Sequence, residues 1–281
     1  MILLAESGST KTQWRAIYPD RIEELKNTPG INPLFLSFEE IESIIRPVSG
    51  EVEAQLPDAV YFFGAGCATL MAKEKIGKAI FSVFESPEII IDSDLIAACL
   101  SLAGNKPSII GILGTGSNSC LWNGEAIEEQ IPSMGYVLGD EGGGVSIGKQ
   151  LLSDFFKKQM PAVLQLRFSE VYDISREKVI ERVYQLSQPN RYLASFAPFV
   201  QQHIDNPYCK KLISDQFENF VNRNLLYYCR TRQIEANFCG SIAFAHADIL
   251  NAICKTHNLI VGNIVKEPVD GLANYLKDKV C

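Results

Sequence analysis

At 281 residues, with 47% hydrophobic and 21% charged side chains, the chain has the make-up of a folded globular protein long enough for two domains, which sets aside disordered and fibrous classes. Its net charge of −7 and the lack of any Lys/Arg block argue against polymeric nucleic acid, whereas a mononucleotide can be met by Mg²⁺ and backbone N–H groups. The opening Met1-Ile-Leu-Leu lacks a signal-peptide pattern, no apolar run approaches a membrane span, and the eight cysteines form no C-x-x-C pair, so a cytoplasmic protein with free thiols, no thiolate-bound metal or cluster and no membrane partner is expected.

Ile2 to Glu6 is a short apolar run, Ser7-Gly8-Ser9-Thr10 supplies turn residues, and Thr12 to Tyr18 resumes with β-formers, which predicts strand, tight turn, strand. A helical segment is predicted near Phe38 to Ile45, then a buried strand at Ala59 to Phe63 ended by Gly64-Ala-Gly66. Glu88 to Ile91 reads as a further strand and Leu95 to Ala103 as a buried helix stopped by Gly104. After Asn105-Lys-Pro107 the opening pattern returns: strand at Ile109 to Leu113, turn at Gly114-Thr-Gly116-Ser-Asn118, strand at Ser119 to Trp122, then the hairpin signal Asn123-Gly124. From Val145 the pattern is mainly helical, with a strand at Ala236 to Cys239, a helix at Ala245 to Lys255 and a final helix at Gly271 to Lys279. Two β-rich units, each followed by helices, predict an α/β protein of two similar lobes. The boundary is placed at residues 1–104 against 105–264, with a C-terminal segment of about 265–281 returning to the first lobe.

The turn Glu6-Ser-Gly8-Ser-Thr10-Lys11-Thr12 can let backbone approach a phosphate and offer N–H and hydroxyl donors, or it can be an ordinary hairpin; it is not a Walker A loop, because a strand follows it. Gly114 to Asn118 has the same chemistry in the same setting and is not a dinucleotide fingerprint, since no third glycine opens a helix. A duplicated pair in two lobes suits a polyphosphate gripped from both sides of a cleft. Asp94, after a strand and at the start of a helix, is either a carboxylate favoured by the helix dipole or a general base. Gly135-Tyr-Val-Leu-Gly139-Asp140-Glu141-Gly142-Gly-Gly144 spends five glycines in ten residues beside two carboxylates, which fits either a plain connector or close approach to a hydroxyl-rich ligand. Phe238-Cys239-Gly240-Ser241 marks a strand-to-helix change where glycine serves a nucleotide or close packing equally well.

Together these segments resemble the N-acetylglucosamine kinase family and its BadF-type ATPase relatives, within the actin, hexokinase and heat-shock chaperone superfamily. The resemblance runs through most of the chain and is most specific at Leu113-Gly-Thr-Gly-Ser-Asn118 and Gly139-Asp-Glu-Gly142. It implies two ribonuclease H-like lobes around a nucleotide-binding cleft and an ATP-dependent transfer to a sugar hydroxyl, with the 6-hydroxyl of N-acetylglucosamine as acceptor. Glucosamine or another hexose is the alternative acceptor, and a non-catalytic sugar or nucleotide sensor the alternative role. The family's ATP contacts fall on the first turn at Ser9, Thr10 and Lys11, on the second at Gly114, Thr115 and Gly116, and on Gly240 with Ser241 at the adenosine. Its catalytic aspartate falls on Asp94, its sugar contacts on Asn32, Ser117, Asn118, Gly135 and Asp140, and its water-mediated Mg²⁺ contact on Glu6. Two departures are visible: Glu6 stands where many members have Asp, and Pro132-Ser133-Met134 stands where some sugar kinases carry a tryptophan. A sugar and ATP are the implied partners, and a homodimer is a further expectation.

Overall fold

A computed structural model describes residues 1–52, 56–85, 88–229 and 234–280. The chain divides into two compact units: Met1–Lys106 with Asn123–Glu125 and Glu267–Cys281, and Pro107–Trp122 with Ala126–Lys266.

The first unit carries a five-stranded sheet of β1 (Ile2–Ser7), β2 (Lys11–Ile17), β3 (Ile22–Pro29), β4 (Ala59–Gly64) and β5 (Glu88–Ser93), in the order β3-β2-β1-β4-β5. The first three strands are antiparallel, while β4 and β5 run parallel to β1. Alternation along β1 sends Leu3 and Ala5 to one face and Ile2 and Leu4 to the other. The first face is covered by α1 (Phe38–Ser49) and α2 (Leu70–Phe84), the second by α3 (Asp94–Leu102) and by a helix from the far end of the chain, Val269–Val280. Helix α1 begins in a capping box, Ser37 accepting from the Glu40 N–H and Glu40 from the Ser37 N–H, and it buries Ile41, Ile45 and Val48 at helical spacing. Strand β3 and helix α2 are additions to the sequence reading.

The second unit repeats the sheet with β6 (Ser108–Leu113), β7 (Ser117–Trp122), β8 (Ile127–Glu129), β9 (Glu235–Cys239) and β10 (Ile260–Val265), in the order β10-β9-β6-β7-β8. Strand directions match those of the first unit, β6 to β8 antiparallel and β9 and β10 parallel to β6. This is the ribonuclease H-like strand arrangement expected, made twice. Between β8 and β9 come α4 (Gly135–Leu138), α5 (Gly144–Phe156), α6 (Ala162–Val171), α7 (Arg176–Tyr184), α8 (Pro189–Ala194), α9 (Ala197–Gln202), α10 (Pro207–Phe220), a π-helical turn at Val221–Leu225 and α11 (Leu226–Tyr228). Then follow α12 (Ser241–Ala245), α13 (Ala247–Thr256) and, back in the first unit, α14 (Val269–Val280). One large core joins Ile109 and Leu113 of β6 to Leu151 of α5 and Phe217 of α10.

Seven cysteines are thiols, six of them buried, and Cys281 lies outside the described residues. No helix among the described residues is long and apolar enough to cross a membrane.

Candidate active site

In the first unit the predicted site residues gather at the C-terminal ends of β1, β4 and β5. The β1–β2 turn closes with the Gly8 N–H donating to the Lys11 carbonyl at 3.0 Å, and its base is tied by the Ser7 and Thr12 hydroxyls, 2.8 Å apart. Ser7 also accepts from the Ile31 N–H at 2.9 Å, and the Gly30 N–H donates to the Thr10 carbonyl at 3.0 Å, so the segment after β3 clasps the turn. A Cβ on Gly30 would sit 2.5 Å from the Gly8 carbonyl oxygen; only a residue without a side chain fits there. The turn is thus held from beneath while Thr10 stays exposed and Ser9 partly so.

Asp94 is the first residue of α3, and Ser93 is the cap, its hydroxyl accepting from the Ile96 N–H at 3.3 Å. Burial pushes the Asp94 carboxyl up to about 6, although the N–H groups of Leu95 and Asp94 itself pull it down. A side chain placed only to satisfy a helix terminus would be held low by those donors, so desolvation outweighs the helix at this position. Asp92 accepts from Lys73 at 3.1 Å and from the Ser93 N–H at 2.8 Å. Burial, aided by the charge of Asp94, pushes the neighbouring Cys67 thiol up to about 12. Asn32 lies against the same β4–α2 loop, since a Cβ on Gly66 would fall 2.3 Å from its Oδ1, and that oxygen accepts from the Leu34 N–H at 3.0 Å. The loop therefore holds Asn32 at the C-terminal end of β4.

Glu6 is pushed up to about 8, first by burial, then by the charges of Asp94 and Glu267, with Lys11 opposing. Lys11 forms an ion pair with Glu267, just ahead of α14, so in this structure its ammonium faces a carboxylate of its own unit. The other Glu267 oxygen accepts from Gln13 Nε2. Gln13 and Glu267 are absent from the sequence reading.

In the second unit the β6–β7 turn closes with the Gly114 N–H donating to the Gly116 carbonyl at 3.0 Å. The first N–H groups of α5 are spent on it, Gly144 donating to the Gly114 carbonyl at 2.8 Å and Val145 to that of Thr115 at 2.9 Å. Asp140 is buried, in the left-handed region with φ +61°, and accepts from the Ser117 N–H at 3.0 Å. Burial raises its carboxyl from the usual range, against the Ser117 N–H and Lys149. Asp140 and Ser117 are thus brought together. Asn118 follows on the strand, and its Oδ1 accepts from the Ser119 N–H at 2.9 Å and from Gln130 at 3.1 Å. Gly135 opens α4 with φ +68° and has no neighbour in the place of a side chain. Gly240 has φ +112°, and a Cβ there would lie 2.3 Å from the Leu113 carbonyl oxygen. What this glycine packs against is the backbone at the start of the β6–β7 turn, and Ser241 beside it is exposed.

No protein-family model matches the chain, and no curated protein matches it. Among solved structures it is similar to a "putative N-acetylglucosamine kinase" from Porphyromonas gingivalis, with 35% identity over 100% of both chains and a TM-score of 0.92. The chain belongs to the N-acetylglucosamine kinase family. A protein of the same description from Chromobacterium violaceum is 15% identical over 98% of each chain, with a TM-score of 0.72. A non-polymerising MamK variant bound to AMPPNP is 14% identical over 98% of this chain and 97% of that one, at 0.54. Likenesses at those identities carry the fold alone, and the fold is that of the actin-like ATPases.

The Mg²⁺ contact expected at Glu6 can be set against the groups around that side chain. The charges of Asp94, Glu267 and Lys11 act on Glu6, and no three metal-binding side chains among the described residues close on one point, so a cation at Glu6 would be held through water. Glu6 entered as a site residue through the family resemblance. The contact of Gln13 with Glu267 has no local sequence signal, because the two meet across 254 positions of chain.

Proposed function

We propose that the chain is an ATP-dependent sugar kinase that transfers the γ-phosphoryl group of ATP to the 6-hydroxyl of N-acetylglucosamine. The observation that carries this reading is Asp94: a carboxylate raised to about 6 by burial, with helix capping done by Ser93 instead, suits a general base working near neutral pH. The 35% identical relative's description supports the sugar, and the actin-like fold supports the nucleotide.

In this reading Asp94 accepts the hydroxyl proton as the phosphoryl group arrives. Ser9, Thr10 and Lys11 of the first turn and Gly114, Thr115 and Gly116 of the second are the phosphate donors, so Lys11 exchanges part of its contact with Glu267 for the nucleotide. Gly240 and Ser241 take the adenosine. Asn32, Ser117, Asn118, Gly135 and Asp140 are the sugar contacts, with the Asp140 carboxylate accepting from sugar hydroxyls as it does from the Ser117 N–H. Glu6 would hold Mg²⁺ through water, and the ion when bound supplies neutralisation of phosphate charge. Most of the rate enhancement in such a transfer comes from position and charge.

The direct test is ATP consumption measured across a panel of N-acetylglucosamine, glucosamine, N-acetylmannosamine, glucose and a no-sugar control, with NMR of the product to locate the phosphate. N-acetylglucosamine should give the highest kcat/KM and a 6-phosphate. Sugar-independent hydrolysis, or no turnover with any sugar, would sink the reading.

A further inference from the structure

Gln13 is the one described residue with a buried side-chain polar atom that has no hydrogen-bond partner: its Oε1. The residue is 3% exposed. Its orientation is fixed by its own neighbour, because Nε2 donates to Glu267 at 2.5 Å and a carboxylate oxygen accepts but does not donate when ionised. The amide cannot turn over without setting oxygen against oxygen. The orphaned atom is therefore an acceptor, and a buried acceptor left unpaired is expensive unless something with positive character meets it.

The surroundings say what that is. Gln13 in β2 stands directly opposite Glu6 in β1, and opposed residues of an antiparallel pair project from the same face about 5 Å apart. Glu267 sits on the other side of the amide, bridging Gln13 and Lys11, and Asp94 and Glu267 both act on Glu6 through space. Two carboxyl groups, those of Glu6 and Glu267, and the Gln13 carbonyl oxygen thus gather about a place served by one ammonium. All of these groups belong to the first unit.

We infer that Gln13 and Glu267, together with Glu6, form a binding site for a hydrated divalent cation that is complete in the first unit without nucleotide. The ion keeps its waters, which donate to Gln13 Oε1 and to the carboxylates; a small hard ion such as Mg²⁺ or Mn²⁺ dehydrates reluctantly and suits such a cage. Glu267 serves both groups at once, since one oxygen steadies Lys11 of the phosphate turn and the other aims the Gln13 amide so that its oxygen faces the ion. This deepens the kinase reading in naming two further residues toward the metal, and it rests on that reading only for the identity of the ion.

The test is a titration of the full chain with Mn²⁺, no nucleotide present, followed by electron paramagnetic resonance of the free ion. The wild type should take up about one Mn²⁺ saturably. Gln13→Leu, which removes the buried acceptor, should weaken Kd by at least about fivefold, and Glu267→Gln by a similar factor, with circular dichroism confirming that each is folded. Should Gln13→Leu fail to fold, Glu267→Gln and Gln13→Glu carry the test, the latter expected to tighten Kd. No saturable Mn²⁺ in the wild type, or Kd within twofold of wild type in the folded variants, overturns the inference. A chain that binds Mn²⁺ in this way but phosphorylates no sugar would lose the kinase reading and keep this one.

Discussion

In the proposed reading Asp94 and Ser93 are neighbours with separable duties, and two substitutions tell them apart. Ser93→Ala removes the hydroxyl that accepts from Ile96, so it should cost about 1 kcal/mol of stability and leave turnover nearly intact. Asp94→Asn should do the reverse: kcat falls by at least about a hundredfold because an amide cannot take a proton, while the melting temperature at pH 7 to 8 rises. The rise follows from linkage. With its folded value near 6, above that of an unfolded aspartate, Asp94 binds its proton more tightly in the native state. Its contribution to stability is therefore greatest at acid pH, is lost as pH climbs from about 4 to 6, and stays lost above. The stability gap between Asp94→Asn and wild type should open over that window and level off, at an order of 1 kcal/mol given the partial exposure of the site. Wild-type kcat/KM should in turn drop below about pH 6, as the base becomes protonated. Asp140 is a different case, because its carboxylate already serves the Ser117 N–H: Asp140→Ala should raise the sugar KM, or lower kcat/KM, by roughly tenfold and also cost about 1 to 3 kcal/mol through the unpaired buried donor. Unchanged sugar kinetics in that variant would remove it from the sugar site.

At the level of elements, the β1–β2 and β6–β7 turns are fixed by what lies behind them. Gly30 is pressed on the Gly8 carbonyl and Gly240 on that of Leu113, so each turn depends on a glycine far away in sequence. Gly240→Ala must push the Leu113–Gly114 backbone aside and also hold alanine at φ +112°, a conformation that an L side chain rarely adopts. It should lower stability by roughly 2 to 4 kcal/mol and weaken ATP by at least about tenfold, read by thermal melting and nucleotide titration. A variant that melts and binds like wild type would mean the contact relaxes. The turns themselves were legible because small residues interrupt runs of β-formers twice in the same way, and the capped helices α1 and α3 were legible from their spacing. Strand β3, Ile-Glu-Glu-Leu-Lys-Asn-Thr-Pro, was not, because an edge strand with few inward positions carries little alternation. Strand β10 is broken by an irregularity between Val261 and Ile264, and α2 turns mostly small residues and isoleucine inward around Gly77. For the site, what could be read were residues within turns; the clasp by Gly30 and the Glu267 bridge are tertiary and leave no local signature.

Across the molecule, neither sheet unit coincides with one continuous stretch of chain. The face of the first sheet that carries Ile2, Leu4, Ala59 and Phe63 is closed by α3 together with Val269, Leu272, Ala273 and Leu276 of α14. Residues 1–106 alone should therefore lack fixed packing on that face, binding a hydrophobic dye and melting without a cooperative transition, while joining 267–281 to them through a flexible linker should restore it. A cooperative, dye-free fragment 1–106 would show that α14 is dispensable for this core. The same connectivity sets a schedule for synthesis. On the ribosome the strands of the first sheet emerge early and one of their four covering helices last, after about 160 further residues; at about 5 to 20 residues per second the apolar face waits roughly 10 to 30 s for its final helix. During that interval the nascent chain carries an open hydrophobic surface, available to chaperones or to neighbouring chains.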